Sequence, residues 1–599
     1  MVRIFSQTQG GFVPPFTAGG LLMASCAAAM LSVPGVSNAQ SITVKDLETG
    51  DYWNIPSELN DGNGGPSQAT LEEAAYFAWL EFIALNWPAK EDMRGVPDTT
   101  KRLGDAGPVV WETMASKVEI FPGTAILAPA DYSYPYANYN NSPQYIYNPS
   151  EVGTPDGTVK ACGSGKTGNV PYINLDETTQ IGLDNMFAGV GEDGQKQIRF
   201  LAKANEVEHK YVVGNSWYGS SGGSESAANF LPPTSATASY ISENNESPPA
   251  GSSEYVSFPS GTIELKSAWR KLSADDKHGE FYTAPVRFYE AVSSTDKTPC
   301  YIDSAPDEWG MLALHIIHKT AGAPYFIFAT FEQKDNILTP GGDSVELANG
   351  LLTADGKKIS EPLSPNIQSV NSQPISTSGG QKLTVQTFTN TEPPTTQPKS
   401  QLYYQNIPGA GLPDAKYIGV NKRKHDIPDV IAVVNQAFQS SIALLAKGAV
   451  FSNYKLVNVQ WVPVDKVAGE TYTSQTVPQL QTPAGQVISP ATYYQANSVV
   501  ETDYNLQVFS GQFYSGNDKG FANTITDFTQ DGTKFHNVKY DGNGYLMGGC
   551  MGCHGNAQIG GSDFSFILEG NPDKPDIIGG PEIEKAIADH FQNILRGQN

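Results

Sequence analysis

The chain predicts an α+β fold: a β-rich main body with long loops and a few helices, followed by a small α-helical C-terminal segment. Three observations carry this. Only 17% of the 599 residues are charged, while Gly (59) and Pro (41) are abundant, a composition that favours loops and strands over a helical bundle. The middle of the chain holds strand-length runs rich in β-branched and aromatic residues. The last hundred residues carry a compact cysteine motif with helical signals at the motif and after it.

Taken in order, residues 1–39 read as a secretory signal. Arg3 is the only charge before Lys45, an apolar run extends from Leu21 to Val33, and Ser37-Asn38-Ala39 offers a small-residue cleavage site. The run is too short and too rich in small residues for a membrane span. Met23-Ala24-Ser25-Cys26 is a faint lipoprotein box, but the polar tether expected after Cys26 is missing. No later stretch approaches the length of a spanning helix, so no transmembrane segment is expected after cleavage.

Residues 40–255 read as a helical and loop-rich region. Thr70-Leu71-Glu72-Glu73 is a capping box, and Ala74 to Leu85 is apolar nearly all round, which predicts a buried helix stopped by Asn86-Trp87-Pro88. Tracts 130–180 and 214–255 read as loops, with a short helix between them over Gln197 to Glu208. Residues 256–500 read as β-rich. Strands are expected at Thr262 to Lys266, within Glu280 to Ala291, and at Tyr454 to Val464. Met311 to His318 and Tyr325 to Phe331 should form a hairpin. Residues 356–415 read as a Pro/Thr/Ser-rich insertion, and Pro428 to Ala446 as a helix. In 501–599, a helix should begin at Cys550 after Gly548-Gly549, and Pro581 to Leu595 should form a last amphipathic helix.

Cys550-Met551-Gly552-Cys553-His554 is the attachment pattern for a haem c. Two thiols three positions apart each add to one vinyl group, and the adjacent imidazole reaches the iron. The same residues would fit half of a zinc site, given two more ligands, or a thioredoxin-like redox pair on a strand-to-helix turn of a βαβ unit. One covalent haem iron, with Cys550, Cys553 and His554 as its attachment and proximal ligand, is the leading reading.

Losing residues 1–39 removes Cys26. Cys162 and Cys300 then remain outside the motif, and in an oxidising compartment they are expected to pair as a disulfide. The formal charge of −24 becomes −25 without the signal. Such a surface repels nucleic acid and anionic membranes. Asp61-Gly62-Asn63-Gly64 and Asp541-Gly542-Asn543-Gly544 resemble calcium loops superficially, but turn chemistry explains them better. Lys422-Arg423-Lys424 reads as a solvated basic loop. There is no zinc-protease motif, nucleophile elbow or phosphate loop.

The sixth iron position is open in the sequence. No Met follows Met551, so the His/Met pair of small cytochromes c is not available, and Met547 is too close to the motif. The candidates are His315, His318, His590 on the last helix and, more weakly, His536. On a strand His315 and His318 point to opposite faces, so at most one of them faces the haem.

Several segments resemble an uncharacterised family of bacterial secreted c-type cytochromes with a single haem. They are Phe258 to Gly261 with Glu264 to Trp269, His315 to Thr320, Ala329 to Glu332 with Asp335-Asn336, and Cys550 to Gly555 with Asp563 to Phe566. Together they cover well under half of the chain. The resemblance implies a cytochrome c-like C-terminal segment and favours His315 as the distal ligand. Gln333 stands where the family has a His, so no role carries over to it.

The expected function is one-electron transfer in the periplasm or outside the cell. The partner would be a redox protein or a small-molecule electron donor or acceptor. The size of the body keeps two alternatives in view: a haem oxidoreductase of peroxidase or dehydrogenase type with an open or labile sixth position, and a haem-based sensor or scaffold.

Overall fold

A computed structural model of the chain describes residues 47, 51–91, 93–121, 143, 145–163, 170–178, 186–189, 196–218, 232–274, 276–336, 344–354, 367–376, 382–390, 401–404, 416–417, 426–464, 480–481, 487–488, 497–500, 528–530, 533–535, 538–545, 549–568 and 573–577. All of them belong to one compact unit, Ile42–Asn599. The signal region, His536, His590 and the helix expected at Pro581 to Leu595 lie outside the described residues, as does the basic run 422–424.

The organising element is a six-stranded sheet whose spatial order follows the chain. Its strands are β1 (Ala115–Ser116), β2 (Arg199–Ala204), β3 (Ile263–Lys271), β4 (Trp309–His318), β5 (Ile327–Gln333) and β6 (Tyr454–Gln460). Every neighbouring pair is antiparallel. β4 and β5 form the expected hairpin neighbours, with His318 opposite Ile327 and His315 opposite Thr330. All ten residues of β4 are buried. An antiparallel sheet often leaves one face to water; here both faces of its centre are covered.

The first face lies under two helices, α1 (Leu71–Leu85) and α4 (Asp429–Ile442). The capping box at the start of α1 is present: the Glu73 amide donates to Thr70 Oγ1 at 3.2 Å, and the Thr70 amide donates to Glu73 Oε2 at 2.7 Å. Phe82 stacks on Phe331 of β5 at 4.3 Å between ring centroids, and Trp79 lies between Phe331 (5.0 Å) and Phe438 of α4 (5.2 Å). Trp79 Nε1 donates to Asn435 Oδ1 at 2.8 Å, which satisfies its polar edge inside this aromatic layer.

Two further helices lie between β2 and β3 in sequence, α2 (Glu206–Gly214) and α3 (Thr234–Asn244). They correct two expectations. Residues 199–204 of the segment expected to be helical are a strand paired with β3. The helix starts only after Asn205, whose side chain caps it by accepting from the Glu208 amide at 3.2 Å. Tract 214–255, expected to be loop, contains α3, because its Thr/Ser/Ala run is held from outside rather than by propensity: the Thr237 hydroxyl accepts from the Val256 amide at 2.9 Å. The division at 255/256 also changes meaning, since β1 and β2 from one side share a sheet with β3 to β6 from the other.

A smaller three-stranded sheet joins Ile173–Leu175 to Val286–Ala291 in parallel, and the latter to Pro299–Asp303 antiparallel. Cys162 and Cys300 form a disulfide that ties the residue-162 segment to this sheet. In 356–415, read as an insertion, Ile367–Ser376 pairs with Lys382–Asn390, and Gln401–Tyr404 pairs with Met186–Gly189. Asp541-Gly542 forms a hairpin turn between Val538–Tyr540 and Asn543–Tyr545, both residues at positive φ (50° and 68°). That is turn chemistry. Among the described residues no helix is long and apolar enough to cross a membrane.

Candidate haem-attachment site

The motif lies on the helix α5 (Gly549–Ile559), which carries Cys550, Cys553 and His554 within a little over one turn. Both ends of α5 are fixed to the body. At the start, Gly549 has φ 72° and its Cα abuts the Gln460 side chain, so a Cβ there would collide with it. Gln460 Oε1 then accepts from the Met551 amide at 2.9 Å. At the end, the Gly561 amide donates to the Gln558 carbonyl (2.9 Å) and the Ser562 amide to the Ala557 carbonyl (2.8 Å), a Schellman cap around a left-handed Gly561. Gly561 packs on the Thr234 backbone of α3 with no room for a Cβ. Along its side, Gln558 bonds Ser247 and the backbone of Lys539.

His554 faces the second side of the sheet. Its ring lies 4.8 Å from Phe328 of β5 and 4.8 Å from Phe566, between centroids. Its Nδ1 is 2.6 Å from the Phe564 carbonyl. A carbonyl only accepts, so Nδ1 carries the proton and Nε2 keeps its lone pair. Burial pushes the imidazole down to about 4, against the pull of that carbonyl, and Lys266 pushes it the same way as burial. A neutral imidazole is the form that binds a metal.

Directly across β3, β4 and β5 runs a polar row. His315 stands opposite Lys266 on one side and Thr330 on the other. Thr330 Oγ1 lies 3.1 Å from His315 Nε2, and Asn497 Nδ2 donates to Thr330 Oγ1 at 3.0 Å. Lys266 is paired with Glu177 at 2.5 Å. A bulge falls between Thr330 and Phe331, next to this row; bulges of this kind re-aim side chains. The His315 imidazole is lowered to about 3, first by burial and then by the neighbouring His554 and Lys266. His315 and His554 lie on the same side of the sheet, with His554 near enough to lower the His315 imidazole.

His318 is elsewhere. Its Nδ1 lies 2.6 Å from Glu81 Oε1 of α1, and its ring stacks on Phe77 at 6.1 Å. It belongs to the helix-covered face, opposite the one that His315 and His554 share. Glu81 is raised above the ordinary carboxylate range by burial, partly offset by the His318 bond.

The loop after α5 folds under His554. Asp563 Oδ2 accepts from Lys319 Nζ at 2.6 Å and from the Phe258 amide at 2.5 Å. Burial pushes the Asp563 carboxyl up to about 6 against both donors, and the same burial lowers the Lys319 ammonium. Asp563 and Phe564 both adopt the left-handed region, φ 53° and 63°. For residues with a Cβ that conformation costs roughly 1–2 kcal/mol each. Nearby, the buried carboxyls of Glu208 and Glu264 face one another.

Several of these partners have no signature in the sequence. Gln460 meets the motif, Glu81 meets His318, Asn497 meets Thr330 beside His315, and Lys319 meets Asp563 in the loop under His554, from 91 to 244 residues away in the chain. Only register and packing bring them together. Among the described residues no group of three or more His, Cys, Asp or Glu gathers as a metal site. The strands before α5 form an antiparallel hairpin rather than a βαβ turn. No family model, curated protein or solved structure matches the chain.

Proposed function

We propose that the protein is a periplasmic or secreted c-type cytochrome that carries single electrons on one covalently attached haem. Cys550 and Cys553 would hold the haem, His554 would supply the proximal nitrogen and His315 the distal one. The carrying observation is the state of His554. It sits on the attachment helix with Nδ1 engaged by the Phe564 carbonyl, the tautomer and supporting hydrogen bond of a ligating imidazole. When bound, the haem supplies an iron that cycles between ferric and ferrous states. The chain's own residues do the rest: α5 carries Cys550 and Cys553 three positions apart, Phe328 and Phe566 wall the site with apolar rings, and the row around His315 offers a second neutral imidazole.

The Cys162–Cys300 disulfide supports an oxidising compartment. The α5 segment, cytochrome c-like in its motif, would not be a detachable module. It is pinned to β6, α3 and the β4 end by Gln460, Gly561 and Asp563. A redox protein or a small-molecule donor or acceptor would complete the exchange.

The test is the alkaline pyridine spectrum of protein matured with a haem-attachment system, followed by spectra in both oxidation states. One haem c per chain with low-spin bands in both states is expected, and His315→Ala should abolish the low-spin ferric bands. Stoichiometric zinc and no haem would overturn the reading. A high-spin ferric spectrum in the unmodified protein would overturn the His315 assignment alone.

A further inference from the structure

We propose that Lys319 is a positioning residue for the axial histidine, acting through Asp563. The proposal rests on reading α5 as a haem-attachment helix. Lys319 directly follows β4, and its ammonium is buried: 2.6 Å from Asp563 Oδ2, 3.4 Å from Ser257 Oγ and 5.3 Å from the Phe326 ring centroid. Asp563 Oδ2 also takes the Phe258 amide. Both donors belong to the body, and the carboxylate belongs to the loop that closes under His554.

The geometry of that loop is unusual for its residues. Two successive positions with a Cβ, Asp563 and Phe564, are left-handed. Such a pair persists only when its surroundings hold it there. The anchor at Asp563 is one residue from the Phe564 carbonyl, the group that accepts the His554 Nδ1 proton at 2.6 Å. Holding the first therefore aims the second. A buried ion pair adds little net stability, so the gain from this one lies in geometry. An Nδ1–H bonded to a well-aimed carbonyl makes Nε2 a stronger donor, which favours ferric iron and lowers the reduction potential.

Lys319→Met removes the charge and keeps the bulk. It is compared with Lys319→Arg, which keeps the charge, in haem-loaded full-length protein. Two quantities are measured: the reduction potential, and the exchange rate of the His554 Nδ1 proton by nitrogen-15 histidine resonance in the ferrous state. For Lys319→Met the expected results are an upward shift of the potential and at least tenfold faster exchange, with Lys319→Arg between it and the unmodified protein. A role confined to stability would lower the melting temperature and leave both readings unchanged, and that outcome overturns the proposal. If Lys319→Met does not accumulate, Asp563→Asn carries the test through the exchange rate alone, which should again be at least tenfold faster; it keeps an oxygen for the Phe258 amide, and an unchanged rate overturns the proposal. Absence of haem from the unmodified protein would overturn the functional reading instead, and it is recorded before any variant is compared.

Discussion

The two faces of the central sheet are built from the same strands and do opposite things. On β4, His318 points into an aromatic layer made by α1 and α4, where Trp79, Phe82, Phe331 and Phe438 pack on one another. Its neighbour on the other face, His315, points into a row of Lys266, Thr330 and Asn497 beneath the motif helix. On the first face, under α1, His318 pairs with Glu81 inside apolar packing. The second collects Lys319 with Asp563, Glu208 with Glu264, and two neutral imidazoles. Burial of apolar rings is where stability comes from. Burial of charges costs, and is tolerated where geometry is needed. Along β4 and β5 the sheet thus separates an aromatic, stabilising face from a polar one, the chemical face of the proposed reading, with a period of two residues.

The sharpest way to break that separation is on the chemical face. Cys550→Ser with Cys553→Ser should eliminate covalent haem, read as loss of the haem c pyridine spectrum, and leave cooperative unfolding of the body in place. Loss of the fold together with the haem would show that the two faces are not independent. The next effect in size belongs to the other face. Phe331→Ala empties a site between Phe82 and Trp79 and should cost about 3–5 kcal/mol in urea unfolding. Haem content per folded molecule should not change.

A third change tests the buried pair. His318→Leu leaves Glu81 facing apolar rings with its hydrogen bond gone. Breaking one partner of such a pair should cost about 3 kcal/mol. His318→Leu with Glu81→Leu should recover most of that loss, because two well-packed apolar residues replace the pair. The spectrum of the bound haem should be the same in both variants. A change in its low-spin bands would place His318 at the iron after all.

How much of this was legible in the sequence follows the same division. Alternation and β-branched runs located β3 to β6, and the capping box located α1, because strand and helix periods depend on neighbouring residues. Periodicity failed at 197–208. There a short amphipathic run served equally for a strand and a helix, and pairing of Arg199–Ala204 with β3 decided between them. The motif was legible because its two Cys and one His fall within five consecutive residues, a spacing that needs no tertiary information. Alternation along β4 also separated His315 from His318. The partners were not legible: Lys319 and Asp563 are 244 residues apart, and nothing local in either predicts an ion pair.

The smallest effect separates the faces by pH. Glu264 and Glu208 are buried against one another, and two carboxylates cannot bond unless one holds a proton. Burial is the main cause that raises Glu264 to about 7, while Ser565 pulls it down. Below the ordinary carboxylate pKa of about 4.5 the group is protonated in both folded and unfolded chains, and the pair costs nothing. Between there and about 7 the unfolded chain has released its proton and the folded one keeps it, so stability falls as pH rises. Above about 7 the loss is complete and constant. Glu264→Gln keeps a donor for Glu208 and removes this titration. It should therefore gain stability relative to the unmodified protein as pH rises to 8, with the difference shrinking towards pH 4. Glu208 titrates together with Glu264, so the difference reports the pair, while acids remote from it titrate alike in both proteins and cancel. A difference in urea midpoint that is flat from pH 4 to 8 would mean that the pair shares no proton, and that the chemical face holds its charges by some other means.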